Sequence, residues 1–365
     1  MMFDFVMGLG QGGGRIAYAF GKGFDIPAVF MNLAGVDFTH IDTDTKNVLV
    51  FEEGGTGRDP KFGERMVREN FDEVDEFLDR KSFADARYIL VCVGGGGGAG
   101  IGFMFPLIDF ILTLKKEVFL IYTLPEKREG IPTKPNALEA LDKLIVRYLQ
   151  KEKISTLLID NDYCVRRYGN GEGFDYWGAV NAGVVTSLKR FWLLTELDRF
   201  KNFIDVASGY KALDKNDVRR ILFSRSGYID LRQMLIDGTG TEGLSRQIRE
   251  SSLIFGSLDI RTAKRYVISV GIPEHWKKAS GTLEFVEEIF QAVSKATRYT
   301  PDVIRCSYFN KKLNSLQVHL LLTGMAKGKG IEKMIRGAEK DRKRLDARGA
   351  VERLDLENIV EKTHR

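Results

Sequence analysis

The sequence predicts an α/β fold, because strand and helix patterns alternate over the first 165 residues and favour a mostly parallel sheet. Two glycine-rich loops, Gly8–Arg15 and Gly94–Gly100, each follow an apolar strand pattern and precede a helical pattern. Parallel strands bring their carboxyl ends to one edge of a sheet, where ligands bind. We therefore expect both loops to lie at the same binding edge.

The second loop is the strongest local signal in the chain. Five consecutive glycines separate a strand pattern ending at Val93 from an apolar helical segment, 101–114. A flexible linker would have polar flanks, so this context predicts a tight turn between a strand and a helix. Glycine allows close approach of a ligand, and a helix N-terminus favours negative charge, so the loop predicts a phosphate site. A turn kept small for packing is the alternative.

The first loop follows a predicted strand, Phe3–Met7, and matches a dinucleotide fingerprint through the spacing of Gly8, Gly10 and Gly13. That match alone is weak, and a nicotinamide-binding fold does not require the second glycine loop. The sequence contains no Gly-x-x-x-x-Gly-Lys-Ser/Thr motif, so the usual phosphate-binding lysine is missing. We expect backbone amides to bind the phosphates, helped by a metal ion.

The chain is 44% hydrophobic, which is the composition of a soluble protein. Its length of 365 residues predicts about two domains. The longest apolar run, 101–112, contains Pro106 and Asp109 and is too short to span a membrane. The first residues lack the basic start of a secretory signal, so we expect a cytoplasmic location and no membrane partner. The three cysteines and four histidines show no metal-ligand spacing, which predicts neither disulfides nor a zinc site.

Two further sets of side chains could contact a nucleotide. Asp42 and Asp44 follow a strand end and could read a ribose hydroxyl, assist a magnesium ion or cap a turn. Trp177 and Asn181 are four residues apart on a predicted long helix, about 176–200, and so share a face. The ring could stack on a purine while the amide reads its edge. A core tryptophan beside a helix bend is the other interpretation.

Taken together, these motifs resemble those of the tubulin/FtsZ superfamily of polymerising GTPases. The second loop is similar to the family signature Gly-Gly-Gly-Thr-Gly-Ser/Thr-Gly, and Gly10–Gly13 is similar to the tubulin Gly-Gln-Ala-Gly. Asp42–Asp44 resembles the bacterial Asn-Thr-Asp, and Gly55–Pro60 resembles a loop that usually ends in Asn-Pro. Trp177–Asn181 is similar to the tubulin Tyr-Gly-Asp-Leu-Asn.

The resemblance covers about residues 3–325 and implies a tubulin/FtsZ-like fold of two domains. A Rossmann-type parallel-sheet GTPase domain (1–173) would be joined by a long central helix (174–201) to a smaller α+β domain (202–325). The remaining residues, 326–365, are expected to form a basic helical tail.

The resemblance also implies GTP or GDP as the nucleotide and Mg²⁺ as the metal ion. Trp177 would stack on guanine and Asn181 would hydrogen-bond to it. Glu129 and Asn161 would lie near the ribose or base, and Gln11 and Asp44 would serve the metal ion. The complete nucleotide-binding set that we predict is Gly10, Gln11, Gly12, Gly13, Asp44, Gly55, Thr56, Gly57, Gly95, Gly96, Gly97, Gly98, Ala99, Gly100, Glu129, Asn161, Trp177 and Asn181.

The segment Gly209–Arg219 resembles the catalytic loop of the family, Gly-Leu-Ile-Asn-x-Asp-x-x-Asp-Val-Arg. By that resemblance Asp214 and Asp217 would enter the nucleotide pocket of the next subunit in a filament and position the attacking water. Hydrolysis would then depend on polymerisation. Two carboxylates at this spacing are otherwise more often a solvated helix start.

The sequence departs from the family pattern at several positions. Gly97 and Ala99 replace hydroxyl residues of the signature, and Ala212 replaces the asparagine of the catalytic loop. Residues 131–133 are Ile-Pro-Thr where a basic residue usually follows Glu129 and Gly130. Nucleotide binding is still expected, whereas the rate of hydrolysis is left open.

The carboxyl-terminal region has eight Lys or Arg and three acidic residues between Lys327 and Arg344. Such a run is usually a solvated helix face, but it could also bind an acidic partner or DNA. The outline resembles the TubZ-like segregation tubulins of plasmids and phages, which implies self-assembly into filaments and a DNA-binding adaptor bound through the tail. An FtsZ-like division GTPase, a nicotinamide-dependent oxidoreductase and a protein that binds nucleic acid directly are the alternatives.

Overall fold

A computed structural model gives the fold of the chain. It describes residues 2–39, 41–51, 54–79, 82–126, 129, 133–168, 176–196, 204–207, 213–225, 227–236, 243–253, 258–326, 331–337, 339–340, 342–344 and 347.

The described residues contain strands from both halves of the sequence. These are β1 (Phe5–Leu9), β2 (Ala28–Asn32), β3 (Val48–Val50), β4 (Tyr88–Gly94), β5 (Glu117–Leu124), β6 (Ser155–Asp160), β7 (Ile204–Val206), β8 (Gly227–Ile236), β9 (Arg265–Pro273), β10 (Asp302–Asn310) and β11 (Leu316–Met325). The helices are α1 (Gly10–Phe24), α2 (Pro60–Glu69), α3 (Phe71–Asp79), α4 (Gly98–Thr113), α5 (Thr133–Leu144), α6 (Asn161–Tyr168), α7 (Tyr176–Leu193), α8 (Lys215–Leu222), α9 (Leu244–Glu250) and α10 (Thr282–Ala296).

These strands form one sheet in the order β3-β2-β1-β4-β5-β6-β8-β11-β9-β10-β7. The pairs from β3 to β8 are parallel. The central strands β1, β4, β5 and β6 are almost wholly buried apolar runs, as expected for parallel strands covered by helices on both faces. The predicted α/β class with a mostly parallel sheet in the first half is confirmed.

The second half of the sheet has mixed strand directions. β11 pairs antiparallel with both β8 and β9, β9 pairs parallel with β10, and β7 pairs antiparallel with β10. The amphipathic helix α10 buries Phe285, Ile289 and Phe290. This arrangement agrees with the smaller α+β part of the predicted fold class. The two parts of the sheet join where β6 pairs with β8 over three residue pairs, 155–157 with 227–229.

Two predicted segments differ from the structure at their ends. β1 begins at Phe5 and continues through Gly8 to Leu9, because its parallel pairing with β4 runs from Phe5–Ile89 to Leu9–Val93. The long helix was predicted over about 176–200, whereas α7 ends at Leu193 and a 3₁₀ turn follows over 194–196. The predicted domain boundaries at 173 and 201 lie outside the described residues and stay predictions.

Cys92, Cys164 and Cys306 are buried, and none of them forms a disulfide. In the part of the chain that the structure describes, no helix combines the length and the apolar character needed to cross a bilayer.

Candidate functional site

A cavity of about 590 Å³ opens at the carboxyl ends of β1, β2, β4, β5 and β6. Both glycine-rich loops line it, as expected for ligand-binding loops of a parallel sheet. Its lining residues are Leu9, Gly10, Gln11, Gly12, Arg15, Ile16, Asn32, Leu33, Asp37, Gly55, Thr56, Arg58, Gly94, Gly96, Gly97, Gly98, Ala99, Gly100, Thr123, Pro125, Glu126, Glu129, Thr133, Ile159, Asn161, Val180 and Asn181.

The two glycine loops touch through their backbones, which leaves no space for side chains between them. Gly10 has a φ of 67°, and a Cβ there would lie 2.8 Å from the amide nitrogen of Gly100. A Cβ on Gly13 would lie 2.2 Å from the carbonyl oxygen of Cys92. Glycine is therefore required at Gly10 by contact with the second loop and at Gly13 by contact with β4. A turn kept small for packing was the alternative to a phosphate site, and these contacts show that packing explains part of the glycine content.

Two helices begin at this cavity without a side-chain cap. Neither Leu9 before α1 nor Gly97 before α4 provides a side-chain hydrogen bond to its helix, and neither helix has an acidic residue in its first turn. The first amides of an α-helix have no partner within the helix, and the helix dipole adds positive charge. The site can therefore bind an anionic group through backbone donors from two directions, which is the geometry that phosphate favours.

Alanine substitutions in the second loop should distinguish a tightly packed glycine from an exposed one. A Cβ on Gly95 would lie 2.1 Å from the carbonyl oxygen of Thr123, whereas a Cβ on Gly97 would have no neighbour within 4 Å. We expect Gly95→Ala to lower the free energy of unfolding by more than about 1 kcal/mol, the lower range for overpacking. Gly97→Ala should change it by less than about 0.5 kcal/mol, the usual range for exposed sites. Urea unfolding measures both, and equal stabilities would contradict the packing of this loop.

A cationic side chain that the sequence analysis did not select, Arg58, also lines the cavity. Its Nη1 donates a 3.0 Å hydrogen bond to Thr133 Oγ1, and its carbonyl oxygen accepts a 2.8 Å bond from Asn136 Nδ2. Its amide donates to Thr56 Oγ1 at 3.1 Å, and its φ is 67°. Arg58 thus lies in the loop before α2. It contacts Thr133, in the segment 131–133 that lacks the basic residue expected from the resemblance. The signal in the sequence was a lone arginine within a glycine loop.

Polar side chains form the other end of the cavity. Asn161 at the start of α6 and Asn181 on α7 are both buried. Glu129 accepts a 2.8 Å hydrogen bond from the Glu126 amide, and burial raises the pKa of its carboxyl above the ordinary value. These amide and carboxyl groups can accept and donate hydrogen bonds to a heterocycle or a sugar.

Asn32 and Asp37 also line the cavity and were not selected from the sequence. The Asn32 amide Nδ2 donates a 2.6 Å hydrogen bond to Asp37 Oδ2, and Asn32 is almost fully buried. Asn32 is the last residue of β2, so the signal was a polar residue at the carboxyl end of a strand.

Several predicted residues do not line the cavity. Gly13 and Gly95 pack beneath the loops, and Gly57 is exposed in the loop before α2. Asp44 accepts a 3.1 Å hydrogen bond from the Lys46 amide and lies 3.0 Å from Lys46 Nζ, so it caps a turn. Trp177 lies in the first turn of α7, but its side chain is outside the described part of the structure.

The two predicted catalytic aspartates lie at α8 and not in the cavity of their own chain. Asp214 caps this helix and accepts hydrogen bonds from the amides of Asn216 (2.7 Å) and Asp217 (3.3 Å). The Asp217 carboxylate is half-exposed and lies 3.8 Å from Arg220 Nε. Residues 209–212 of the predicted catalytic loop, including Ala212, lie outside the described residues.

Contacts at the amino ends of the strands fix the position of α8. Arg219 lies 3.4 Å from Asp4 and 4.4 Å from the ring centre of Tyr88, which begins β4. Arg225, just after α8, donates hydrogen bonds of 2.8 and 2.5 Å to Glu117, which begins β5. The cavity lies at the carboxyl ends of these strands. Asp214 and Asp217 therefore occupy the opposite end of the sheet from the glycine loops.

Searches for similar proteins give related sequences and similar structures. The chain is 30% identical over 193 residues to the tubulin-like protein CetZ2 of Haloferax volcanii, which covers 49% of this chain and 51% of CetZ2. It is 26% identical over 175 residues to the tubulin-like protein TubZ of Bacillus cereus, covering 44% of this chain and 40% of TubZ. The chain thus spans about half the length of the first of these relatives and less of the second. No family model matches the chain.

Similarity of structure extends over nearly the whole chain. A GTPγS-form protofilament of Bacillus thuringiensis TubZ superposes with a TM-score of 0.79 at 17% identity, covering 95% of this chain and 94% of that one. The chain therefore has a tubulin/FtsZ-like α/β fold, with a glycine-lined cavity at the carboxyl ends of its parallel strands. The resemblance noted in the sequence is confirmed as a similarity: CetZ2 and TubZ each match just under half of the chain in sequence, and TubZ matches nearly all of it in fold.

Proposed function

We propose that this chain binds GTP and assembles head to tail into filaments that hydrolyse GTP where two subunits meet. One observation carries the proposal: the glycine-lined cavity and the two aspartates lie at opposite ends of the same sheet. On this proposal neither end would hold a complete catalytic site by itself. A head-to-tail contact would place Asp214 and Asp217 of one subunit against the cavity of the next.

The chemistry of such a contact follows from the residues at its two halves. Backbone amides of the glycine loops and the Arg58 guanidinium would bind the phosphates. Asn161 and Asn181 would contact the base or ribose. Asp217 from the next subunit would orient a water for in-line attack on the γ-phosphate, since phosphoryl transfer depends mainly on positioning and electrostatics.

The site is compatible with a Mg²⁺ ion that binds together with the phosphates. Among the described residues no group of three His, Cys, Asp or Glu side chains could hold a metal ion. Mg²⁺ commonly keeps several waters and binds through substrate phosphates with one or two protein ligands. Gln11 lines the cavity and can supply one such ligand, whereas Asp44 lies outside the lining. When bound, the ion would offset the negative charge of the phosphates.

For the cellular role we propose filaments that segregate plasmid or phage DNA through a DNA-binding adaptor bound by the basic tail. The likeness of the whole fold to TubZ and the cluster of Lys and Arg between 327 and 344 support this choice. The similarity to CetZ2, for which a GTPγS-bound protofilament is known, supports assembly into filaments but gives no support to the role in DNA segregation. Salt-sensitive binding of the purified chain to an adaptor–DNA complex, absent with either partner alone, would distinguish the first role.

The assembly proposal is tested by following 90° light scattering and phosphate release in parallel over a range of protein concentrations with GTP and Mg²⁺. We expect both signals to begin at the same critical concentration, because each active site needs two subunits. Phosphate release in proportion to protein, without any scattering, would overturn the proposal. A lack of response to GTP combined with fluorescence changes on adding a nicotinamide cofactor would favour the oxidoreductase alternative.

A further inference from the structure

The turn between α10 and β10, residues 297–301, holds two consecutive residues in the left-handed region of backbone conformation. Arg298 has a φ of 54° and Tyr299 a φ of 59°. Glycine and asparagine adopt this region readily, whereas a bulky residue such as tyrosine is a real outlier there. Outliers of this kind persist only where the surrounding structure holds them, and they cluster at functional sites. The turn is therefore a candidate functional segment.

Hydrogen bonds fix this turn, but they do not bury the tyrosine ring. The Tyr299 amide donates a 2.7 Å hydrogen bond to the carbonyl oxygen of Ser294 in the last turn of α10. The Thr300 hydroxyl is buried and donates to the carbonyl oxygen of Ala263, 2.8 Å away and just before β9. The Tyr299 side chain itself is 71% exposed. The chain thus holds an unfavourable backbone conformation around an aromatic ring that its own core does not use.

The strand directions place this turn at the end of the sheet that carries α8. β9 and β10 run parallel to each other and, because β11 is antiparallel to both β9 and β8, in the same direction as β6. Their amino ends therefore lie opposite the glycine-lined cavity. Asp302, which begins β10, accepts hydrogen bonds of 2.8 and 3.1 Å from Arg220 of α8. Tyr299 is three residues before Asp302, so the turn lies beside the helix that carries Asp217.

We propose that Tyr299 is an aromatic anchor in the contact with a second copy of this chain, the next subunit of a filament. The inference rests on the proposed function, in which the α8 end of one subunit meets the cavity end of the next. Tyrosine combines a large apolar ring with a polar hydroxyl and is enriched among the residues that contribute most to interfaces. A ring on a turn that is already fixed loses little freedom on binding.

A second exposed apolar side chain lies at the same end of the molecule. Leu114, between α4 and β5, is 45% exposed. It belongs to the parallel part of the sheet, whereas Tyr299 belongs to the mixed part. The proposed contact would therefore extend across both parts and would not be confined to α8.

Substitution of Tyr299 by glycine distinguishes an interface role from a structural one. Glycine adopts a positive φ without strain, so Tyr299→Gly should leave the thermal unfolding midpoint unchanged or raise it. Assembly should weaken at the same time, because the ring is lost. We expect the critical concentration for GTP-dependent light scattering to rise about tenfold, which corresponds to about 1.4 kcal/mol per contact. A residue that served only the fold would not give this combination.

Two controls isolate the ring from the backbone. Arg298→Gly relaxes the neighbouring position of the same turn and keeps the ring, so it should assemble at the critical concentration of the unmodified chain. Tyr299→Phe keeps both the ring and the backbone conformation and should also assemble normally. GTP titration of the Tyr299→Gly monomer should give an unchanged affinity, because the turn lies at the opposite end of the sheet from the cavity.

The possible results distinguish this inference from the proposed function. Equal critical concentrations for Tyr299→Gly and Arg298→Gly would overturn the anchor role alone, and so would a rise accompanied by a lower unfolding midpoint. Absence of GTP-dependent assembly in the unmodified chain would overturn the proposed function and this inference with it. Above its raised critical concentration, Tyr299→Gly should release phosphate at the normal rate per assembled subunit, because the ring takes no part in the reaction.

Discussion

Asp217→Asn is expected to leave GTP affinity unchanged and to slow GTP hydrolysis about 100-fold, the lower range for losing a catalytic base. GTP affinity should not change, because Asp217 lies at the start of α8, at the opposite end of the sheet from the cavity of its own chain. Filaments should therefore form and persist longer. Phosphate release and sedimentation after GTP addition measure both effects, and nucleotide titration of the monomer measures the affinity.

Asp217 is a better test than Asp214, because Asp214 caps α8 through two amides. Losing that cap would lower the free energy of unfolding by about 1 kcal/mol. A change in hydrolysis could then not be assigned to the reaction alone. Asp72→Asn, an exposed acid in the first turn of α3, is the matched control and should hydrolyse GTP normally. A loss of GTP affinity in the Asp217→Asn monomer would show that the residue does not act on a neighbouring subunit.

Arg58→Ala is expected to weaken GTP binding about 10-fold to 100-fold, which corresponds to a lost charged hydrogen bond of about 1.5–3 kcal/mol. The chain lacks the usual P-loop lysine and has Ile-Pro-Thr where a basic residue usually follows Glu129 and Gly130. The Arg58 side chain contacts Thr133, the third residue of that replaced segment. Arg58 therefore brings a guanidinium group to the segment in which Ile-Pro-Thr replaces the usual basic residue.

Titration with a fluorescent GTP analogue measures this effect. Arg58→Lys should keep part of the affinity, because it retains the charge but not the forked geometry of the guanidinium. Arg65→Ala, an exposed arginine of α2, is the control for lost charge alone and should bind as the unmodified chain does. Equal affinities for Arg58→Ala and Arg65→Ala would remove Arg58 from the site.

The glycine loops could be predicted from the sequence because the physical requirement is local. A run of glycines between a buried strand and a helix has few other uses, and its backbone contacts need no knowledge of distant residues. The parallel sheet followed from the same alternation of strands and helices. The resemblance to a polymerising family then supplied the roles of residues such as Asp217, whose partner would lie in another subunit.

Arg58 and Asn32 could not be predicted because their roles depend on how distant loops meet. Arg58 reaches Thr133, 75 positions away, across the mouth of the cavity. Asp44 was selected from its motif, and its side chain caps a turn next to Lys46, which is one of the roles considered for it. Capping by a nearby amide competes with any longer-range contact of a short acidic side chain. The cellular role was the hardest feature to predict from the sequence, because relatives that form filaments can have different cellular roles.

The narrow connection between β6 and β8 has a consequence for how the chain unfolds. Three residue pairs join the two parts of the sheet there, whereas β8 and β11 pair over most of their length. Local stability follows the density of such contacts, so a sheet opens where few bonds hold it. The parallel and mixed parts are therefore expected to separate at this strand pair, once the contacts of Arg219 with Asp4 and of Arg225 with Glu117 have also broken.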